Sequence, residues 1–175
     1  MWVRRIANVT PDGVPIGAVH VVAEIFVDVR KAGSPLTYLL DASWPYDYES
    51  TDFEILDPRL SRWFVASPWS DPMRPDVTVG VRICLPEFFL DHEMTYKLYD
   101  GDEAACELFE TWLRKLELEF PDPTSDRVAI PLTEGWVQCP SCFDAWQPDP
   151  SYGRSDCPSC DSISNNSLWK NPGEE

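Results

Sequence analysis

CPSC occurs twice near the end of this chain, as Cys139-Pro140-Ser141-Cys142 and, after fourteen intervening residues, as Cys157-Pro158-Ser159-Cys160. Each Cys-x-x-Cys turn can place two thiolates about as far apart as adjacent corners of a tetrahedron. Two such turns supply the four sulfurs that a structural Zn²⁺ needs. Four thiolates leave no open coordination position, so the expected role is structural. The sequence therefore predicts one Zn²⁺ bound by Cys139, Cys142, Cys157 and Cys160.

The segment around these turns resembles a zinc ribbon, over about residues 136–163. The resemblance implies that each CPSC is a knuckle and that short β-hairpins lie between them. Knuckles often carry glycine after the second cysteine, where Phe143 and Asp161 stand here. The resemblance therefore also implies a less regular local geometry. The two pairs lie closer together than in a rubredoxin, which favours zinc over redox iron.

Two other uses of the cysteines stay open at this point. A thioredoxin-like redox pair needs a βαβ context, which the Pro/Gly-rich residues 148–153 do not provide. Paired disulfides would need an oxidising compartment. No apolar run follows Arg4 and Arg5, as a signal peptide would require. We therefore expect a cytoplasmic protein with reduced thiols.

The charge of the chain restricts its partners. With 30 acidic and 14 basic residues in 175, the formal net charge is −16. Such a field repels DNA, RNA and membrane surfaces rich in anionic lipid. Between Glu134 and Asp161 there are five acidic residues and one basic residue, Arg154. We expect no binding to nucleic acid or membranes, and a basic protein as partner.

The pattern of apolar residues outside the cysteine segment predicts an α+β protein. Period-two alternation predicts strands over 19–29, 36–40 and 77–85, the first two paired antiparallel, and a short strand over 127–132. An apolar stripe predicts one main helix over about 102–118, with Asp100 and Glu103 as a capping box. We expect an antiparallel sheet with this helix in residues 1–132 and a zinc-ribbon module with a tail in residues 133–175.

An acidic and aromatic segment follows the second predicted strand and reads as a loop. It holds six carboxylates and no basic residue between Asp41 and Asp57. Carboxylates would steer a basic partner, and aromatic side chains would anchor it. The predicted partner-binding residues are Trp44, Tyr46, Asp47, Tyr48, Glu49, Asp52 and Glu54. Trp63 and Trp69 are further candidate anchors.

Nothing in the sequence points to a catalytic or cofactor-binding residue. Of the two histidines, His20 lies on a predicted strand, and His92 is flanked by Asp91 and Glu93. Such a histidine could act as a general base but is more often a solvated polar residue, and no phosphate-binding or nucleophile motif occurs. We expect a non-enzymatic binding protein. Its small, acidic character resembles that of bacterial immunity proteins, without a shared motif, which implies neutralisation of a basic toxin in the cytosol. The alternatives are an accessory subunit of a transcription, replication or phage complex, and a carboxylate-based metal-dependent hydrolase.

Overall fold

A computed structural model describes residues 1–7, 14–31, 36–40, 48–71, 73–89 and 92–171 of the chain. These residues form an α+β structure, as predicted, with antiparallel strand ladders and three α-helices. The chain divides into two compact units, Met1–Leu113 and Arg114–Glu175. This division lies within the longest helix, whereas the predicted one follows residue 132 and stays a prediction.

Seven strands build the sheet of the first unit. They are β1 (Trp2–Arg5), β2 (Val19–Asp28), β3 (Leu36–Leu40), β4 (Tyr48–Glu49), β5 (Phe53–Asp57), β6 (Val65–Asp71) and β7 (Arg74–Cys84). Their order is β4-β3-β2-β1-β5, with β7 pairing β2 and β6 pairing β7. The predicted antiparallel pairing of β2 with β3 is confirmed. Residues 24–27 of β2 pair with both β3 and β7, so this strand is central.

The core of this unit forms where apolar side chains of several strands meet. Its buried cluster consists of Met1, Val3, Val22, Ile25, Tyr38, Leu40, Tyr48 and Phe53. The Phe53 ring packs edge-on against Tyr38 and Tyr48, at centroid distances of 6.2 and 5.9 Å. These contacts tie β5 and β4 to the central strands through side chains.

Polar residues of β2 are buried as well. The Glu24 carboxylate lies 2.9 Å from Nε of Arg82, whose guanidinium stacks 3.6 Å from the centroid of the Trp69 ring. Asp28 is buried beside Arg30, and hydrogen bonds from Arg30 lower the pKa of Asp28 to about 2. Ion pairing and stacking on aromatic rings offset the cost of removing these charges from water.

Two parts of the first unit differ from the sequence-based expectation. The acidic segment read as a loop contains β4, a 3₁₀ turn at Ser50–Asp52 and β5. β6 was also missed, because Pro68 and its polar neighbours read as a loop. Proline is tolerated there because, among the strands that the structure describes, β6 pairs only with β7.

Three helices follow β7: α1 (Pro86–Phe89), α2 (His92–Tyr99) and α3 (Glu103–Glu119). The predicted main helix is confirmed as α3, but its N-cap is Asp102 and not Asp100. Oδ1 of Asp102 accepts a hydrogen bond from the backbone N–H of Ala105, at 3.0 Å. α1 and α2 were not predicted, because they are short and lack a long apolar stripe.

The second unit contains the end of α3 and two small sheets. One joins β8 (Ile130–Pro131), β9 (Val137–Gln138) and β10 (Ala145–Trp146), and the other joins β11 (Arg154–Asp156) and β12 (Ile163–Asn165). The predicted strand over 127–132 is thus shorter than expected. Asn165 and Asn166 hold the loops between these elements, since their side-chain amides donate to the backbone carbonyls of Asp122 and Asp149 at 3.0 Å. Within the described ranges, no helix combines the length and the apolar character needed to cross a bilayer.

Candidate metal centre

The four cysteines of the two CPSC turns lie together. Their Sγ atoms are all within 4.8 Å of one another. Cys139 Sγ lies 3.8 Å from Cys160 Sγ, and Cys142 Sγ lies 3.5 Å from Cys157 Sγ. A zinc–sulfur bond of about 2.3 Å implies tetrahedral edges of about 3.8 Å. The sulfurs are therefore positioned to hold one metal ion, as the sequence predicts.

These separations also distinguish a metal site from disulfides. A disulfide bond measures about 2.05 Å, far less than either sulfur–sulfur distance across the cluster. All six cysteines of the chain are free thiols. The remaining two, Cys84 and Cys106, lie in β7 and α3 and take no part in the cluster. Burial and the nearby Glu24 carboxylate raise the pKa of Cys84 to about 12, which keeps that thiol protonated.

The two knuckles share one backbone geometry. In the first, Cys139 N donates to Asp144 O at 2.8 Å and Cys139 O accepts from Phe143 N at 3.0 Å. In the second, Cys157 N donates to Ser162 O at 3.0 Å and Cys157 O accepts from Asp161 N at 2.9 Å. The repeated tetrapeptide thus folds in the same way twice.

The position after the second cysteine takes a left-handed conformation in both knuckles. Phe143 has φ of 66° and Asp161 has φ of 55°. Glycine adopts this region freely and aspartate visits it, whereas it costs an aromatic residue about 1–2 kcal/mol. The expectation of a less regular knuckle geometry is therefore wrong for the backbone, because Phe143 and Asp161 both adopt the left-handed conformation that glycine would take.

Ser162 adds a hydroxyl to the sulfur cluster. Its Oγ lies 3.2 Å from Sγ of both Cys139 and Cys160. The hydrogen bond with this hydroxyl lowers the pKa of Cys139 to about 5 and also lowers the pKa of Cys160. The pKa of Cys142 rises instead to about 12: the backbone N–H of Asp144 lowers it, but burial and hydrogen bonds with the other three thiols outweigh that effect. Sequence reasoning missed Ser162, since it stands outside the CPSC turns.

The cysteines also belong to the small core of the second unit. Cys139 and Cys157 are fully buried with Ala129, Val137 and Trp146, and Leu168 packs against this cluster. Cys142 and Cys160 are exposed. The Asp144 carboxylate accepts a hydrogen bond from Ser159 Oγ, which joins one knuckle to the other. A metal ion here would lie where the two knuckles meet.

The predicted partner-binding residues divide into three groups. Trp44, Tyr46 and Asp47 lie outside the described residues. Tyr48 is only 5% exposed and belongs to the core. Its ring packs on Phe53 and therefore cannot anchor a partner at the surface, so Tyr48 has to be removed from the predicted binding surface.

The acidic members of that prediction lie nearer to solvent. Glu49 is about half exposed and forms an ion pair with Lys31 at 2.9 Å. Glu54 forms a similar pair with Arg4 at 3.4 Å. Asp52 is half-buried in the 3₁₀ turn, where its backbone carbonyl accepts a hydrogen bond from the N–H of Ile6 at 2.9 Å. Ion pairs at this exposure are worth about 0–1 kcal/mol, so a partner could exchange them at little cost.

The two further candidate anchors each have a partner within the chain. Trp63 packs edge-on against Trp112 at a centroid distance of 5.8 Å. Trp69 lies beneath the Arg82 guanidinium. Both rings are half-buried and therefore contribute to the structure of the first unit.

Comparisons of this chain with protein-family models, with curated proteins and with solved structures find no match.

Proposed function

We propose that the cysteine cluster holds one structural Zn²⁺, and that the chain is a non-enzymatic binding protein for a basic protein partner. The specific form of the proposal is an immunity protein that neutralises a basic toxin in the cytoplasm. Thiolates favour zinc among the common divalent ions, and four of them complete its tetrahedral shell. When bound, the ion supplies a cross-link between the two knuckles.

The observation that carries the binding proposal is the surplus of negative charge. With 30 carboxylates against 14 lysines and arginines, one-to-one ion pairing within the chain leaves a surplus of sixteen carboxylates. Such a surplus opposes self-association and accelerates encounter with a positively charged protein, by factors of about 10–1,000 at low salt. Glu49 on β4 and Glu54 on β5 present part of it on the two terminal strands of the β4-β3-β2-β1-β5 order, each in an ion pair that is about half exposed.

A second candidate is an accessory subunit of a larger complex in transcription, replication or a phage. The small second unit favours it, because it exposes apolar side chains on a sheet fixed by the cysteine cluster. The hydrolase alternative has weaker support. Among the described residues, the four cysteines are the one group of three or more potential ligands placed to hold a metal ion.

Reversing the charge at Asp52 and Glu54 tests the proposed function. The probe is the basic protein that the zinc-loaded chain retains from a lysate of its native host, purified after identification by mass spectrometry. We expect Asp52→Lys with Glu54→Lys to slow association about tenfold at low salt, because the attraction that steers encounter is reduced. Stopped-flow fluorescence measures the rate.

The matched control makes the same charge change on α3. Glu107→Lys with Glu110→Lys alters two exposed carboxylates of the helix. We expect a smaller reduction of the association rate, since that face is not in the proposed binding surface. Equal rates for the two double variants would remove the acidic segment from the binding surface. Retention of no basic protein would contradict the proposed function as a whole.

A further inference from the structure

The three-stranded sheet of the second unit has two unlike faces. Pro131 pairs with Val137, and Val137 pairs with Trp146 on the next strand. The side chains of this row lie on the core side of the sheet, where Val137 and Trp146 are buried. The neighbouring register row is Ile130, Gln138 and Ala145. Successive side chains of a strand point to opposite faces, so this second row points away from the core.

We call this second side the outer face (Ile130, Leu132, Trp136, Gln138 and Ala145); three of its side chains are large and apolar. Leu132 N donates to Trp136 O at 3.0 Å, which continues the ladder and adds both residues to the same side. Trp136 is 43% exposed, and Ile130 and Leu132 are exposed to a similar degree. Single exposed apolar residues are ordinary on protein surfaces, but a contiguous group on one face marks an interaction site.

The exposure and backbone conformation of Phe143 give a second and independent indication at this face. Its backbone carbonyl accepts a hydrogen bond from Gln138 Nε2 at 2.9 Å, so it borders the outer face. Its side chain is 68% exposed although φ is 66°, a conformation that strains an aromatic residue. Glycine would relieve the strain and lose little packing. A strained aromatic residue that gains nothing from burial points to a role in contact with another molecule.

The charges around the outer face indicate which kind of molecule that is. Asp126, Glu134 and Asp144 are exposed and stand within four residues of its strands in sequence, where Arg127 is the one basic residue. A second copy of the chain would bring the same carboxylates and the same net charge of −16, so the two copies would repel each other. A partner with apolar side chains and a lysine- or arginine-rich rim would find both of its features matched.

We propose that the outer face is the surface on which a basic protein partner docks its apolar side chains. The proposal deepens the proposed function and rests on it, since that function supplies the basic partner. Large apolar side chains with exposed carboxylates close by in sequence suit a protein interface, in which a few large side chains carry most of the affinity. The metal centre fixes this face, because Cys139 directly follows β9 and Cys142 directly precedes Phe143.

Photocrosslinking tests the location of the contact. p-Benzoylphenylalanine replaces Phe143 or Leu132 in the zinc-loaded full chain, mixed with a lysate of the native host, and replaces Tyr96, an exposed aromatic residue of α2, as the control. We expect a discrete adduct with a basic protein at positions 143 and 132 and none at position 96. An adduct with a second copy of the chain would overturn the proposal and make the outer face a dimer interface.

Substitution then measures the contribution of the face. We expect Phe143→Gly and Leu132→Ser to weaken binding of the purified basic protein at least about tenfold, and Tyr96→Ser to bind it as the unsubstituted chain does. Phe143→Gly should also raise the unfolding midpoint of the zinc-loaded chain, which a residue with a purely structural role would not do. Binding that is unchanged in both variants, while the unsubstituted chain retains a basic protein, would overturn this inference and leave the proposed function standing. Retention of no basic protein would remove both.

Discussion

Replacing Cys157 by serine is expected to leave the chain without its metal ion and to unfold its second unit. Cys157 is fully buried and its Sγ lies 3.5 Å from that of Cys142. Binding of structural zinc contributes about 10–16 kcal/mol in zinc-finger peptides near neutral pH, and that free energy is also folding free energy. The buried cluster that contains the cysteines has five residues, two of them metal ligands, so little of this cluster remains to hold the two small sheets together without the ion.

Metal analysis and amide hydrogen exchange measure this result. We expect zinc to fall from about one ion per chain to nearly none, and β9 to β12 to lose protection, while β2 and β7 keep theirs. Treatment with a chelator should reproduce the pattern. Cys106→Ser is the matched control, because Cys106 lies in α3 outside the cluster. Loss of protection in β2 together with β9 would contradict the expectation that only the second unit depends on the metal ion.

Replacing Gly153 by alanine has the second largest expected effect. Gly153 is buried, its N–H donates to Glu119 O at 2.9 Å, and its carbonyl accepts from Asn166 N at 2.8 Å. An added Cβ would lie 2.2 Å from the Pro121 nitrogen and 2.4 Å from the Phe120 carbonyl carbon. These are backbone atoms that cannot rotate away. We expect a loss of about 3 kcal/mol in the stability of the second unit.

Gly135→Ala is the control for this substitution. Gly135 lies in the same unit with φ of 85°, and an added Cβ would meet nothing within 4 Å. Only backbone strain then opposes alanine, at a cost of about 1 kcal/mol. Hydrogen exchange of β11 and β12 in the zinc-loaded chain reports both losses. Equal losses in the two variants would show that Gly153 has more room than the structure gives it.

The sequence predicts those elements that local pattern determines. Apolar alternation identifies β2, and an apolar stripe identifies α3. In each element a short period, about two residues in a strand and about 3.6 in a helix, is repeated several times. The spacing within each CPSC turn identifies the cysteine cluster in the same way, since the turn itself sets the sulfur positions. These predictions depend on neighbours in sequence and hold without knowledge of the tertiary fold.

Long-range packing decides the features that the sequence does not reveal. Tyr48 stands among acidic residues and looks exposed, but its ring is buried because Phe53 and Tyr38 come together in the core. Pro68 reads as a strand breaker and is accommodated because β6 has one neighbour among the described strands. Ser162 reaches two sulfurs only after the second knuckle has folded against the first. Each case depends on how separate elements pack together, which the local sequence pattern does not show.

The central claim is that four thiolates hold one zinc ion in a closed shell that supports a binding surface. Zinc K-edge X-ray absorption on the purified chain, with total metal analysis, tests it most directly. The account predicts one zinc per chain with four sulfur neighbours at about 2.3 Å and no oxygen or nitrogen in the first shell. A bound water oxygen, a redox-active iron in place of zinc, or a chain that carries disulfides and no metal would contradict it.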